Sequence, residues 1–410
     1  MGKSTNFSGQ PILTQLLMFL DKGQIRKISK ANGGDRYVKK FTTYNHVVVM
    51  LFTALEGYSS IREVIVGLFA NAHKLSHLGL RYIVRRSTLS EANQRRSSKL
   101  FGEIYMEVYL RNRERLADSR LSDVDMKRLY IMDSTTITLF KDILKGVGRN
   151  PLQGKKKGGI KAHTIIKASE NIPCLIRYSA AVRHDHTFLK EIHTLPNGSI
   201  ITFDKGYVDY AQYEAFSQSG ICYVTRLKDN AAYEARKEYD LPDNSPSSVL
   251  KDEEVVLYYG QHKKNVHRTR RIAYWDDENK RLIEFISNNF ELSAEKIALI
   301  YKQRWQIELL FKQLKQNFPL KYFLGDNENA IEIQIWAAML ANLLITLVKS
   351  KVKRSWAFSN MVSLIRNQLM NYMDIYRFLE DPEGCWKNVT GQDENRYRNS
   401  LFTQNGGLAF

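Results

Sequence analysis

The stretch RLYIMDS, residues 128–134, decides the fold, because it marks the change from a helical to a strand-like pattern. A short apolar run that ends in an aspartate is typical of a buried β-strand. Two more strand-like segments follow, GIKAHTIIKAS (159–169) and IPCLIRYSAAV (172–182), joined by the tight connection ENIP. So short a connection predicts a hairpin, and the three strands are therefore expected to be antiparallel.

The segments that follow alternate between helix and strand. HDHTFLKEIHTL (184–195) and DYAQYEAFSQSG (209–220) have helical spacing, whereas SIITFDKGY (199–207) and CYVTRLK (222–228) have strand-like runs. The helical crossovers bring in parallel strands, so the order predicts a mixed α/β sheet with helices on its faces. This is the topology of a ribonuclease-H-like core, whose first part is expected to span 126–228.

The remaining sequence divides into four predicted regions. Residues 1–125 have helical periodicity and are predicted to form an all-α domain. Residues 229–290 contain runs typical of antiparallel strands and are interpreted as a β-strand insertion. Residues 291–350 are expected to complete the core with a catalytic helix, and 351–410 to form a helical C-terminal region. The apolar run at 335–348 is shorter than a bilayer requires and predicts a buried helix, so no membrane role is expected.

The composition favours a nucleic-acid partner and a reducing compartment. The 410 residues include 61 Lys and Arg against 43 Asp and Glu, a net charge of +18. Such an excess indicates a polyanionic partner, although a soluble protein that is merely basic stays an alternative. The three widely spaced cysteines form neither a disulfide framework nor a zinc pattern. Because the first residues also lack a secretory signal, a cytoplasmic location is expected.

A basic helix is predicted within residues 85–109. Thr88 and Glu91 have the spacing of a capping box, so a helix is expected to begin at Thr88. Arg95 and Arg96 lie in its early turns and would suit insertion into a DNA major groove. The alternative is a solvated basic face with no partner.

One amphipathic helix is predicted from the N-cap Ser293 to a stop at Pro319, through YKQRWQIELLFKQLKQNF (301–318). Four apolar side chains are expected to pack inward: Leu309, Leu310, Phe311 and Leu314. A second stripe places one acid among bases and is not explained by packing: Tyr301, Arg304, Glu308 and Lys315.

Three carboxylates form the candidate site. Asp133 and Asp204 each end an apolar strand, on strands expected to be neighbours, and Glu308 follows on the helix. A single aspartate at a strand end is more often a turn residue. Three acids that converge in a basic protein repel each other unless cations lie between them, and Mg²⁺ prefers such oxygen ligands. Two ions about 4 Å apart would suit phosphoryl displacement on a DNA backbone.

These motifs resemble the DDE transposases of bacterial insertion sequences, specifically the IS-four family. The family signature Tyr-(2)-Arg-(3)-Glu-(6)-Lys is matched at all four positions of the stripe from Tyr301 to Lys315. YIMDSTT at Asp133 and FDKGY at Asp204 match the two aspartate motifs. The family also carries a β insertion before the glutamate, and the N-terminal 120 or so residues resemble the helical DNA-binding region often attached to this group.

The resemblance implies a mechanism. Asp133 would bridge two Mg²⁺ ions, with Mn²⁺ as a substitute, and Asp204 and Glu308 would each complete one site. The enzyme would bind terminal inverted repeats, cut DNA by metal-dependent hydrolysis and join the 3′-OH ends to target DNA. Since two ends must be joined, a homodimer on double-stranded DNA is expected, in the nucleoid of a bacterial cytoplasm. The alternatives are a metal-dependent nuclease without strand transfer and a catalytically decayed DNA-binding protein.

Further DNA contacts are expected around the acids. The resemblance implies that Tyr301, Arg304 and Lys315 bind phosphates near the cut end. Trp305 either stacks on an unpaired base or belongs to the core. Arg226, in the last core strand, either reaches the DNA or is structural.

Overall fold

The computed structural model describes residues 9–117, 122–138, 159–180, 185–241 and 248–385, without the side chains of residues 185, 186 and 263. The chain divides into two compact units, one of Met1–Arg115 with Gln313–Phe410 and the other of Leu116–Lys312. The five-part division expected from the sequence is finer than this and stays a prediction. The loop at 148–158 and the end of the C-terminal region lie outside the described residues.

The described ranges contain α-helices, short 3-10 segments and β-strands. The helices are α1 (Ile12–Leu17), α2 (Lys22–Ala31), α3 (Thr43–Glu56), α4 (Ile61–Ala70), α5 (Arg86–Arg95), α6 (Ser98–Leu116), α7 (Val124–Arg128), α8 (Tyr210–Gln218), α9 (Ala294–Lys302), α10 (Trp305–Asn317), α11 (Glu328–Lys349), α12 (Phe358–Asn367) and α13 (Ile375–Glu380). The 3-10 segments are Ala72–Leu78, Asp185–Thr194 and Gln261–Lys263. The strands are β1 (Leu129–Thr138), β2 (Gly159–Lys167), β3 (Ile172–Ala180), β4 (Ile200–Phe203), β5 (Cys222–Arg226), β6 (Tyr233–Glu238), β7 (Val249–Tyr259), β8 (Asn265–Asp276) and β9 (Arg281–Ser287).

The first unit is built around α11. This helix has 22 residues and a mean hydropathy of 1.8 in its most apolar window, of which 89% is buried. Among the described residues it is the one helix long and apolar enough to cross a membrane, and it is longer than the run at 335–348 suggested. Helix α3 packs along it, and Gly102 of α6 lies so close to Trp336 that a Cβ would be 2.9 Å from the indole ring. The predicted buried helix is therefore confirmed.

The start of α5 differs from the prediction. The helix begins at Arg86, two residues before Thr88, and Arg85 is its N-cap without a side-chain hydrogen bond. Glu91 does not close a capping box; its carboxylate instead accepts from Arg95 at 2.6 Å, one turn later. An i, i+4 ion pair has replaced the expected cap, because acids in a helix interior pair readily with bases one turn away.

The second unit contains one nine-stranded mixed sheet in the order β3-β2-β1-β4-β5-β9-β8-β7-β6. Strands β1, β2 and β3 are antiparallel neighbours, whereas β4 is parallel to β1 and to β5. The predicted mixed α/β sheet and the hairpin are therefore confirmed. The segment predicted as a helix at 184–195 forms a 3-10 helix over Asp185–Thr194.

The β-rich segment after β5 continues the same sheet. Strand β9 pairs antiparallel with β5, so β6 to β9 extend the sheet from its edge. Strand β6, with the sequence YEARKE, was not predicted, and all six of its residues are exposed. An edge strand that is open on both faces carries no apolar alternation, so periodicity cannot reveal it.

Buried tyrosines hold α8 against the sheet and fix the end of β4. The Tyr213 hydroxyl donates to the Tyr207 carbonyl at 2.5 Å, and the Tyr223 hydroxyl lies 2.7 Å from both His267 Nε2 and Thr269 Oγ1. Phe203, the last residue of β4, packs among these rings. Because the polar tips are satisfied, the aromatic core can be buried without unpaired hydroxyl groups at these positions.

A buried ion pair between β7 and β8 is expected to contribute strongly to stability. Arg270 binds Asp252 through two parallel hydrogen bonds of 2.8 and 2.5 Å, and both side chains are 8% exposed. Asp252→Asn leaves a buried guanidinium without its counter-charge, so a loss of about 3–5 kcal/mol is expected in denaturant unfolding. The neighbouring pair of Arg268 and Glu254 is the control, since Arg268 is 66% exposed. Arg268→Gln is expected to cost less than about 1 kcal/mol, and equal losses would contradict the interpretation.

Candidate active site

Asp133 and Asp204 lie side by side because of the register of β1 and β4. The parallel ladder between these strands ends at the pair Met132 and Phe203, and the two aspartates are the next residues. Asp133 was expected to end its strand, but β1 continues to Thr138 along β2. The two acids are adjacent as predicted. They follow the end of the ladder because β4 ends at Phe203, whereas β1 continues.

Glu308 lies on the second of two helices where one was predicted. Ser293 caps α9 as expected, accepting from the backbone of Lys296 at 3.2 Å. The helix ends at Lys302, and α10 begins at Trp305 after a turn in which the backbone N–H of Arg304 donates to the Tyr301 carbonyl at 3.0 Å. Glu308 is therefore in the first turn of α10, where the helix dipole favours an acid.

Two arginines pair with the three carboxylates. Arg304 Nη1 lies 3.2 Å from Asp133 Oδ2 and 2.7 Å from Glu308 Oε1, so one guanidinium joins both acids. Arg226 Nη2 lies 3.4 Å from Asp204 Oδ2. The Arg304 side chain is 16% exposed, so water screens these charges only weakly. The cluster is thus held together by protein cations.

The pKa of Asp133 is raised mainly because its carboxyl is buried. Burial raises the pKa of Asp133 to about 6, and the charges of Asp204 and Glu308 also act to raise it. A hydrogen bond from the Ser134 backbone and the charge of Arg304 oppose this rise but do not cancel it. The ionised form is therefore disfavoured, as expected where like charges converge with little solvent.

Tyr301 lies against both arginines. Its ring centroid is 5.6 Å from the Arg226 guanidinium carbon and 5.8 Å from that of Arg304, within the range of cation–π attraction. Burial raises the pKa of Tyr301. The Nε atoms of Arg226 and Arg304 are buried and have no hydrogen-bond partner among the described residues. A ligand oxygen can reach these donors only if the surrounding side chains move.

The donor set fits a hard divalent cation, although an arginine lies between two of the donors. Asp133, Asp204 and Glu308 supply only carboxylate oxygens, the ligands that Mg²⁺ prefers. Within the described ranges, no three His, Cys, Asp or Glu side chains are grouped closely enough to hold one ion. The reason is visible at Arg304, whose guanidinium lies between Asp133 and Glu308. A cation can bind both acids only if this side chain moves.

The predictions for Trp305 and Leu309 need correction. Trp305 is 58% exposed, so the core alternative is wrong and its ring is available for stacking. Leu309 is 50% exposed and does not pack inward, whereas Leu310, Phe311 and Leu314 are buried as predicted. Lys315 lies exposed two turns after Glu308 on α10.

The two basic residues predicted in this helix, Arg95 and Arg96, differ in exposure. Arg95 is exposed and paired with Glu91. Arg96 is 6% exposed, and its guanidinium donates to the carbonyl oxygens of Gly34 and Phe41. The expected DNA contact by Arg96 is therefore wrong, because its donors are used inside the fold.

The sequence pattern missed the role of Arg304 as a bridge between acids. Its position four residues before Glu308 was the available signal, since such pairs meet on a helix surface. The signature instead suggested a phosphate contact. The contact with Asp133 could not be seen from spacing, because the two residues are 171 positions apart.

Comparison with known proteins identifies the family of this chain. A family model described as "Transposase DDE domain" matches residues 125–344, more than half of the chain. The chain belongs to this family of transposases, and the resemblance stated from the sequence is confirmed. A second model, a "Domain of unknown function (DUF4372)", matches residues 8–81.

Individual relatives are more distant. The "Probable transposase for insertion sequence element IS5377" of Geobacillus stearothermophilus is 27% identical over 58% of this chain and 62% of its own length, so the chain spans less than two thirds of that relative. Protein y4zB of Sinorhizobium fredii is 29% identical over 63% of this chain and 69% of its own. The IS4SA protein of Synechocystis is 28% identical over 64% and 71%.

One solved structure is also similar. A piggyBac transposase synaptic complex with hairpin DNA aligns over 94% of this chain and 85% of that chain, with 12% identity and a TM-score of 0.43. This likeness is too low to bear on the mechanism.

Proposed function

We propose that this protein is a DNA transposase that binds the terminal inverted repeats of an insertion sequence, cleaves DNA strands by metal-dependent hydrolysis and joins the 3′-OH ends to target DNA. The observation that carries the proposal is that Asp133 and Asp204 follow the end of the β1–β4 ladder, while Arg304 joins Glu308 to Asp133. Membership of the transposase DDE domain family supports it.

The sheet order supports a ribonuclease-H-like core. Strands β3-β2-β1-β4-β5 combine an antiparallel meander with two parallel crossovers, as the sequence predicted. On this proposal the core spans 126–228 and 291–350, with 229–290 as its β insertion. Residues 1–125 serve as the helical domain that binds DNA ends, and 351–410 form a helical C-terminal region.

The three carboxylates are proposed to hold two Mg²⁺ ions, or Mn²⁺ in their place. Asp133 would be the ligand common to both ions, as the resemblance to the family implies. When bound, such ions activate water and stabilise the charge that develops on the phosphate. The carboxylates fit this role by their chemistry, since hard cations require few protein ligands and keep several waters.

The basic residues around the acids are proposed to hold the DNA. Arg304, Arg226 and Tyr301 lie beside the carboxylates, and they would bind phosphate oxygens near the scissile bond once the arginines leave the acids that they contact here. Trp305 is exposed next to Arg304 and can stack on a base that is unpaired at the cut end. Lys315 extends the positive stripe along α10.

Strand transfer is the property that separates a transposase from a nuclease. An oligonucleotide that carries a 3′-OH donor end is incubated with the protein, supercoiled plasmid and Mg²⁺. We expect covalent joining of the donor to the plasmid, visible as a labelled plasmid band on a denaturing gel. A donor with a 3′-dideoxy end is the control and is expected to give no joining. Cleavage of the plasmid without joining would instead assign the site to a metal-dependent nuclease.

The partners and location follow from this chemistry. Because two ends of one element must be joined in one reaction, the protein is proposed to act as a homodimer on double-stranded DNA. Its place would be the bacterial cytoplasm, in association with the nucleoid. Light scattering of the protein with and without an end-containing duplex tests the dimer.

A further inference from the structure

A basic cleft in the first unit shares no residue with the carboxylate site. It has a volume of about 1000 Å³ and is bordered by the segment between α2 and α3 and by α5. The buried Arg96 lies at its floor. The exposed basic side chains that line it are Arg36, Lys39, Lys40, Arg85 and Arg95. The acid that faces them, Glu91, is already paired with Arg95. The cleft therefore carries a large excess of positive charge.

The segment between α2 and α3, which forms one wall of the cleft, is fixed by hydrogen bonds to Arg96 and Asp35. Arg96 donates to the Gly34 carbonyl at 3.0 Å and to that of Phe41, so it ties both ends of the segment to α5. Asp35 accepts from the backbone and hydroxyl of Thr43 at 2.7 and 2.9 Å. These contacts fix the backbone, while the exposed bases of the segment face the solvent. Arg96 is thus a positioning residue for the cleft.

Tyr37 is exposed at the mouth of the cleft in a strained conformation. It is 89% exposed and has φ of 61°, in the left-handed region that aromatic residues rarely adopt. The Arg36 guanidinium lies 5.0 Å from its ring centroid. Such strain persists only where the surroundings impose it and is concentrated at binding sites.

The aromatic side chains indicate which form of DNA fits. Single-strand grooves stack successive bases on several open rings. Of the three rings that line this cleft, Phe41 is 6% exposed and Tyr82 is partly buried, so Tyr37 alone is freely open. A wall of exposed cations with one open ring is suited to the backbone of a duplex and not to a row of unpaired bases.

We propose that this cleft binds the sugar-phosphate backbone of double-stranded DNA through Arg36, Lys39, Lys40 and Arg85. The inference deepens the proposed function, on which it rests for the identity of the DNA as an element end. It also gives a role to the segment matched by the domain of unknown function at 8–81. On this proposal helix α5 forms one wall of a backbone clamp, and Asn93 and Arg96, which are buried, do not contact the DNA.

A matched pair of triple variants tests the cleft in the full-length protein. Arg36→Gln, Lys39→Gln and Lys40→Gln together remove three charges from the cleft. Arg26→Gln, Lys27→Gln and Lys30→Gln remove three exposed charges from α2 of the same unit, outside the cleft lining. Binding of a fluorescent mixed-sequence duplex of about three helical turns is followed by anisotropy over a series of salt concentrations.

The cleft variant is expected to bind at least about tenfold more weakly than wild type at moderate salt. Its slope of log K against log salt is expected to fall by about 2–3, because each lost phosphate contact contributes about 0.9. The α2 variant is expected to match wild type in both quantities. Equal losses in the two variants, an unchanged cleft variant, or better competition by single-stranded DNA or polyglutamate would each overturn the proposal.

The result is separable from the proposed activity. DNA cleavage by wild type and Asp133→Asn is measured on the same preparations. If the cleft variant binds normally while Asp133→Asn fails to cut, the cleft proposal is wrong and the transposase proposal stands. If the cleft variant loses binding while wild type and Asp133→Asn cut equally, the reverse holds.

Discussion

Asp133→Asn is expected to abolish DNA cleavage, by at least about a thousandfold, with DNA binding retained. Metal-assisted chemistry contributes several kcal/mol to the barrier, and each 1.36 kcal/mol corresponds to about a factor of ten in rate. Asparagine keeps the shape of the side chain but supplies a poorer ligand at the position proposed to be shared by both ions. The measurement is nicking of supercoiled plasmid in Mg²⁺, alongside anisotropy with a labelled duplex.

The same substitution is expected to leave the fold intact. The folded-state pKa of Asp133 is raised to about 6, above its ordinary value of 3.8. The favourable contribution of the protonated carboxyl is therefore present in acid and is lost as pH rises through about 6. At neutral pH the carboxyl is mostly ionised, although the folded site disfavours this charge relative to the unfolded chain. A neutral asparagine is therefore expected to keep or raise the melting temperature.

Asp229→Asn is the matched control for this experiment. Asp229 is an exposed acid whose partner, Lys205, follows Asp204 in the chain. Its substitution removes one negative charge close to the site without touching the three carboxylates, and normal cleavage is expected. Equal cleavage by wild type and Asp133→Asn would contradict the assignment of Asp133 to the active site.

Arg304→Gln is expected to change how the protein responds to Mg²⁺ without DNA. The guanidinium lies between Asp133 and Glu308, and the two carboxylates would lose their counter-charge. A loss of about 2 kcal/mol is expected in metal-free buffer, because one partner of a mostly buried ion pair is removed. Mg²⁺ is then expected to raise the melting temperature more than it does in wild type, since the ion no longer competes with Arg304.

Cleavage and a surface variant complete the Arg304 test. Arg304→Gln is expected to cut DNA poorly despite tighter binding of the ion, because a donor to phosphate is lost. Arg236→Gln removes an arginine from an exposed pair with Glu234 and is expected to change neither melting nor its response to Mg²⁺. If Arg304→Gln melts as wild type does at every Mg²⁺ concentration, the guanidinium does not occupy the place of the ion.

The part of the fold that the sequence could predict is the part with strong periodicity. Strands β1 to β5 have apolar runs bounded by turns, and their order followed from short and long connections. The closeness of Asp133 and Asp204 followed from parallel pairing alone. Strand β6 and the exposure of Leu309 did not follow, because both depend on which neighbours cover a residue and not on its own chemistry.

The candidate site was predictable in its members but not in its contacts. Spacing identified Glu308 and the bases around it, yet it gave no sign of the turn at Gln303 and Arg304 that separates α9 from α10. The residues at this turn are compatible with a helix, so tertiary contacts set the break. Arg96 was misjudged for a similar reason, since only the packed structure shows that backbone carbonyls surround it.

The position of β9 between β5 and β8 has a consequence for folding during synthesis on the ribosome. The 175 positions from Asp133 to Glu308 take roughly 10–35 s to synthesise at common rates. During this time β5 has no partner on its outer side until its neighbour, the late strand β9, is made. Asp133 and Asp204 are thus synthesised well before Glu308. On the proposed function, a nascent chain that carries only Asp133 and Asp204 lacks the third carboxylate and is expected not to cleave DNA.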